Sequence, residues 1–320
     1  MNSILVYGSV QGNPLYNCSV PIEEVSIPGT KRPILGYCLI MFGFLVEMMY
    51  IPSFIAIIKK KLLKLSCYKI MFCLGVLDML ATFLCSFLSG YLFIEGAVFC
   101  NYPTLIYISG CFSIGAWVTL CAFSILLIVN RVSDIVCPDI AEFLFSNNRA
   151  WLMCMIPVIY GLYVVVFTPA VIFNSTIMAW IGDPGITAGH SEDYYNNVQI
   201  NQNFLFVFCI IFLYTVYCIF INKKQMGVSV SAGRQVFIQS SIICLFNCTV
   251  AVVYILLSFV TPHPLIVISG ELAWSFSHAC PAFIYLTINR TIKSEVLSWF
   301  KKKVTKTSDS SVSRMKTVEA

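Results

Sequence analysis

The chain has 320 residues, 58% of them hydrophobic and 11% charged, with a mean hydropathy of +0.84. Soluble domains carry about 25% charged residues, and a water-soluble fold of this length cannot hide so much apolar surface, so the composition excludes an ordinary globular protein and requires lipid. The net charge of +5 gains meaning only when the charges are placed along the chain.

Met1 to Val10 lacks the basic region of a cleavable signal peptide, so the first span is expected to direct insertion itself. A spanning helix takes about 20 mostly apolar residues. Pro33–Ile58, Tyr68–Ile94, Thr104–Val129, Ala150–Phe173, Phe204–Ile221, Val236–Val260 and Leu265–Ile288 meet that requirement. Pro262 and Pro264 favour a turn between the last two over one long helix. The sequence therefore predicts an all-α membrane protein, a seven-transmembrane helix bundle. Residues 1–32 form an outer N-terminal segment and 33–290 the bundle. Residues 291–303 form an amphipathic helix on the membrane surface, with Ile292, Val296, Leu297, Trp299 and Phe300 on its apolar flank. Residues 304–320 form a polar, disordered tail.

Orientation follows from Lys and Arg, because basic loops stay in the cytoplasm. Lys31 and Arg32 lie on the N-terminal side, and the other eighteen lie on the opposite side. The N-terminus is expected outside and the C-terminus in the cytoplasm. Asn17-Cys18-Ser19 and Asn174-Ser175-Thr176 are glycosylation sequons, and Asn17 and Asn174 both fall outside. Of fifteen cysteines, only Cys18 and Cys100 fall in oxidising space, and a disulfide between them is expected. Most others lie in apolar runs, where Cys acts as a small hydrophobe; no spacing suggests a metal.

Charges within spans are expensive and mark functional positions. Glu47, Asp78 and Glu271 are the three acids so placed. No base lies at matching depth to Asp78, which leaves it protonated, hydrated, holding a cation, or hydrogen-bonded to a neighbouring Ser or Asn. Glu271 and His278, seven residues apart, share one face of the last span and could line a cavity. An enzyme finds no support: GxSxG, HExxH and P-loop motifs are absent. A transporter would show paired halves, a channel a filter segment, and nucleic-acid binding a folded module. An outward cavity, seven helices and a basic inner face suit a receptor that passes ligand binding to a cytoplasmic partner.

Several local motifs then coincide. These are Tyr16-Asn17-Cys18-Ser19, Met49-Tyr50-Ile51-Pro52, Tyr68-Lys69-Ile70-Met71, Leu74-Gly75-Val76-Leu77-Asp78, Gly90-Tyr91, Gly96 to Pro103, and Leu127-Ile128-Val129-Asn130-Arg131. With them the chain, from Tyr16 to about Val296, resembles the nematode serpentine chemoreceptors of class T, within the rhodopsin-like G-protein-coupled receptors.

That resemblance implies a chemosensory receptor for a small molecule that activates a heterotrimeric G protein from a plasma membrane, by family habit the ciliary membrane of sensory neurons. The alternatives are a chemically gated channel or transporter, and a non-signalling partner of other receptors. By resemblance Asp78 takes the place of the sodium-linked acid. Asn130-Arg131 stands for the acidic-Arg pair at the foot of the third helix, Arg131 being hinge and G-protein contact; with Asn before it, the usual charged lock is absent. Pro281 to Tyr285 resembles the seventh-helix switch, with the tyrosine four residues after the proline, Cys280 in place of Asn, and Asn289 as a substitute polar group. Tyr107, Tyr254, Glu271 and Trp274 are the expected pocket lining. The second outer loop holds no cysteine to pair with Cys100, which returns the pairing to Cys18.

Overall fold

The computed structural model describes residues 2–19, 28–186, 191–223, 231–259 and 263–299. A short α1 (Asn2–Tyr7) precedes the first rod, α2 (Pro33–Lys59). The second rod is α3 (Ser66–Thr82), a π-helical turn over Phe83–Leu88, and α4 (Ser89–Glu95). Then come α5 (Pro103–Val136), a short α6 (Pro138–Phe145), α7 (Arg149–Phe167), α8 (Asn197–Lys223), α9 (Ser231–Phe259) and α10 (Pro264–Thr287). A last helix, α11, covers 290–299. Its expected continuation to 303 and the tail over 304–320 lie outside the described residues.

Among the described residues six rods are long and apolar enough to cross a membrane. The seventh, α10, is 24 residues long but carries Glu271, Ser275, Ser277 and His278 within eight positions. Its polar side chains face inward, Glu271, Ser275, Ser277 and His278 all being buried. A span that turns its polar residues toward its neighbours rather than lipid still packs as a rod of the bundle.

The central rod is α5, with 72% of its apolar window buried against 22% for α8. It packs on α3, α7, α8 and α9, while α10 closes the ring against α2, α3 and α9. The α5–α7 seam depends on glycine. A Cβ on Gly161 would collide with the Thr119 hydroxyl, and one on Gly115 with Val165. Polar ties hold the other seams. The Trp117 indole N–H donates to Asn203 of α8 at 2.9 Å, and Asn247 of α9 donates to Ser124 at 3.0 Å.

Three expected boundaries are corrected. The fourth span was expected to reach Phe173, but α7 stops at Phe167 because Thr168 precedes Pro169 and turns extended, at ψ 161°; the residue before proline is driven from the helical region. The chain then forms a hairpin of β1 (Ile172–Asn174) and β2 (Ala179–Ile181), with Phe173 opposite Trp180. No alternating pattern longer than three residues announced it. The third span was expected to end at Val129, but α5 runs to Val136 and is stopped by Pro138. The fifth helix starts at Asn197, seven residues early.

Helix α11 is pinned to the end of α2. Glu295 receives Lys59 and Lys60 at 2.9 Å each and the Trp299 indole N–H at 2.7 Å, and Lys59 sits over the Trp299 ring. Ile292 is fully buried while Leu297 is half exposed. The two lysines, Lys60 first, and then Trp299 hold the Glu295 carboxyl down at about 2, below its ordinary 4.5. A depressed carboxyl contributes stability above its unfolded value and loses it as pH falls through the folded one. The contribution is therefore complete above about 4.5 and gone below about 2.

Two outcomes follow. Glu295→Gln should speed amide hydrogen exchange across 290–299 at neutral pH and leave α5 unchanged. Gly161→Val should destabilise by about 1–3 kcal/mol, the usual effect of overpacking a tight seam, read as a lowered midpoint of thermal unfolding in detergent.

Candidate functional site

At the end that carries the N-terminal segment, residues 2–19 fold down onto the bundle. Ser3 and Tyr107 exchange contacts, the Tyr107 hydroxyl donating to Ser3 Oγ at 2.9 Å and receiving the Ser3 backbone N–H at 3.2 Å. Asn13 donates to the same Ser3 hydroxyl oxygen at 2.9 Å. Tyr16 is wedged among Phe99, Tyr107 and Tyr194, and the Tyr194 hydroxyl donates to the Leu15 carbonyl at 2.7 Å. Burial pushes the Tyr16 phenol well up, so it stays neutral. The structure joins Cys18 to Cys100, with Cα atoms 5.7 Å apart, and so ties this segment to the start of α5.

Beside this plug lies a cavity of about 320 Å³ bounded by the β-hairpin, Tyr194–Asn196, and the outer turns of α8, α9 and α10. Its lining includes Trp180, Tyr194, Gln199, Tyr254, Asp183 and Glu271. A narrow annex continues inward past Ser113, Trp117 and Trp274. Tyr254, Glu271 and Trp274 thus stand where a pocket was expected, whereas Tyr107 is taken by Ser3 and Tyr16 and lines neither space. Sequence reading missed Trp180. The π turn in the second rod brings Ser89 round to accept its indole N–H at 2.8 Å, while the Ser89 hydroxyl donates to the Leu84 carbonyl. Nothing in Phe83 to Ser89 signals that irregular turn.

Asn174 does not fit the glycosylation expected of it. It is buried, and its Oδ1 accepts the N–H groups of Thr176 and Ile177 at 2.9 and 3.2 Å, closing the hairpin turn. Asn17 is half-exposed, with its Oδ1 held by the Ser19 N–H.

Midway through the bundle Asp78 has the partner that linear order hid. His278 Nδ1 lies 2.9 Å from Asp78 Oδ1, and the Tyr50 hydroxyl lies 2.8 Å from both Asp78 Oδ2 and the His278 carbonyl oxygen. The three side chains are fully buried. His278 therefore turns to Asp78 and does not share a cavity with Glu271. A sodium ion does not fit this arrangement: it needs several free oxygens, and both Asp78 oxygens already face donors, one of them an imidazole nitrogen. Glu47, half-buried on α2, belongs to neither cluster.

At the far end, Asn130 is buried and donates to Ser66 at 3.1 Å. Arg131 pairs with Asp134 at 2.8 Å and also donates to Asn130. The arginine was expected to lack a charged lock; because α5 continues a further turn, Asp134 supplies one from three positions on. Asn289 joins three rods, donating to Tyr68 at 3.2 Å and Gln239 at 3.0 Å and capping α11 through the Ile292 N–H. Tyr285, four residues after the buried Pro281, donates to the Met71 carbonyl at 3.2 Å and leans edge-on against Tyr50. The expected switch residues thus fall into separate groups: Asp78 reaches Tyr285 through Tyr50, Asn289 ties α10 to α3 and α9, and Asn130 and Arg131 bond Ser66 and Asp134.

Removing one member of a buried pair is worse than never building it. His278→Leu should lower stability by about 3–5 kcal/mol, because it leaves the Asp78 carboxyl with Tyr50 alone. Asp78→Asn, which keeps an acceptor, should lower it less. Thermal unfolding of both variants in one detergent checks the order.

The chain also has relatives. The family model described as serpentine type 7TM GPCR chemoreceptor Srt matches residues 3–309. Serpentine receptor class T-55 of Caenorhabditis elegans is 25% identical over 290 residues, covering 88% of this chain and 79% of that protein. The match takes in the plug, the cavity, the buried Asp78 cluster and the Arg131 lock, and by it the chain belongs to the Srt family of serpentine seven-transmembrane chemoreceptors.

Proposed function

We propose that this chain is a chemosensory receptor that binds a small molecule at the plugged end of the bundle and activates a heterotrimeric G protein at the other. The observation that carries this reading is the pairing of two ends through one body. A walled cavity with an acid in it opens at one end, an ion-paired arginine holds the other, and the buried Asp78–His278–Tyr50 cluster lies midway between them. Membership of a chemoreceptor family supports this reading.

The mechanism is a shift of population. A ligand that fits one packing of α8, α9 and α10 better than another moves the bundle toward it, by no more than the difference in its affinity for the two. Tyr254 and Glu271 line the cavity on α9 and α10, and Asn289 links the far ends of those rods to α3. Rearrangement at the cavity would therefore be felt at the Asn289 contacts. Arg131 is held by an exposed acid, a weak lock that solvent screens, which suits a switch that must open. The excess of Lys and Arg at that end supports a cytoplasmic position for it, with the N-terminal plug and Asn17 outside. The plasma membrane, and within it the sensory cilium, is the residence this role calls for.

Tags and a reporter test this together. An N-terminal epitope should stain intact cells and a C-terminal one only permeabilised cells. Asp134→Ala should raise basal nucleotide exchange on a co-expressed G protein, and Arg131→Ala should abolish it. A C-terminal tag that stains intact cells, or exchange indifferent to both substitutions, would sink the reading.

A further inference from the structure

We propose that the cavity between the β-hairpin and α8–α10 recognises a protonated amine, with Glu271 as its counter-ion. The inference rests on the receptor reading above and adds the charge class of the ligand.

Glu271 is 1% exposed and lines the cavity, yet neither of its carboxyl oxygens has a hydrogen-bond partner. The Trp180 backbone and the Ser89 hydroxyl are its polar neighbours, but neither sits in hydrogen-bonding geometry, and the Ser89 hydrogen is already committed to Leu84. The other buried acids among the described residues have donors: Asp78 has His278 and Tyr50, and Glu295 has two lysines and Trp299. A buried carboxyl without a partner is relieved by a proton or by a cation.

The surroundings favour a cation from outside. Among the described residues no Lys or Arg lines the cavity; the charged ones that do are Glu271 and Asp183, both acids. Trp180, Tyr194 and Tyr254 supply aromatic walls, and the faces of such rings attract ammonium groups. An alkylammonium brings three donors to two waiting acceptors. Its carbon skeleton can lie along those walls, and the annex, at about 30 Å³, takes no more than a small polar group, for which Ser113 Oγ and Trp274 Nε1, also without partners, stand ready. At about 320 Å³ the cavity suits a molecule of metabolite size rather than a peptide.

The test uses the full chain in phosphatidylcholine nanodiscs and three amines of rising size, propylamine, cyclohexylamine and 2-phenylethylamine, each paired with the alcohol of the same skeleton. At least one amine should bind saturably and at least about tenfold more tightly than its alcohol, the usual effect of hydrogen bonds to a charged group. Glu271→Gln should erase that preference while the thermal midpoint stays near wild type. Saturable binding by none of the amines, equal binding of amines and alcohols, or a Gln variant that keeps the preference would each overturn the proposal. Should the variant not hold its fold, the wild-type comparison decides alone. Amine binding that drives no G-protein exchange would defeat the receptor reading and leave the site standing. Exchange driven only by neutral compounds would do the reverse.

Discussion

Inside a bilayer no water stands ready to satisfy a polar group, so each buried donor and acceptor must find its partner within the bundle. That constraint organises this protein more than any apolar contact does. Lipid tails are as apolar as leucine, so burying apolar surface between rods brings little net gain. What selects one arrangement of seven rods is close approach at glycines such as Gly161 and the few polar links among rods: Asn203 to Trp117, Asn247 to Ser124, Asn289 to Tyr68 and Gln239, and Asp78 to His278 and Tyr50.

The same constraint explains what could be read from the sequence. Spans announce themselves because about 20 apolar residues in a row have few other uses, and six of seven rods pass that test on composition alone. The seventh, α10, was still recognisable because prolines delimit it, although its polar content brings it below the apolarity of its neighbours. Polar partners were not legible. Asp78 and His278 are 200 positions apart, and nothing local records that their helices touch. His278 was read against Glu271 because the two share a helix face in one dimension, whereas packing in three dimensions splits that face between a cavity and a neighbouring rod.

Irregular backbone was the other blind spot. The hairpin at Ile172–Ile181 consists of two three-residue strands, too short for a period to show. The π turn at Phe83–Leu88 sits in an unbroken apolar run that reads as plain helix. The hairpin lines the cavity, and the π turn sets Ser89 against the hairpin's Trp180. Non-helical backbone at membrane depth is tolerated where it is buried in protein or lines a cavity, so the segments that defeat pattern reading are those that shape the site. Arg131 gives the converse case. The arginine is legible in the sequence, but Asp134 is not, because its role depends on one more turn of α5 than the apolar run announces.

Glu271 departs from the rule of internal satisfaction. A bundle that partners Asp78 on both oxygens, and Asn289 on both ends of its amide, has the means to partner one more acid. Ser89 is close enough to do so, yet its hydroxyl hydrogen is turned to Leu84 and its oxygen to Trp180. The hairpin that brings Trp180 to Ser89 also walls the space in front of the carboxyl. A single local arrangement, the π turn with its displaced serine, thus removes the acid's nearest donor and builds the aromatic wall beside it. Buried polar groups left unpaired lower stability, and such losses persist where the fold uses them. Where the other buried carboxyls among the described residues are closed by donors, the open one is the place for something from outside the bundle to complete it.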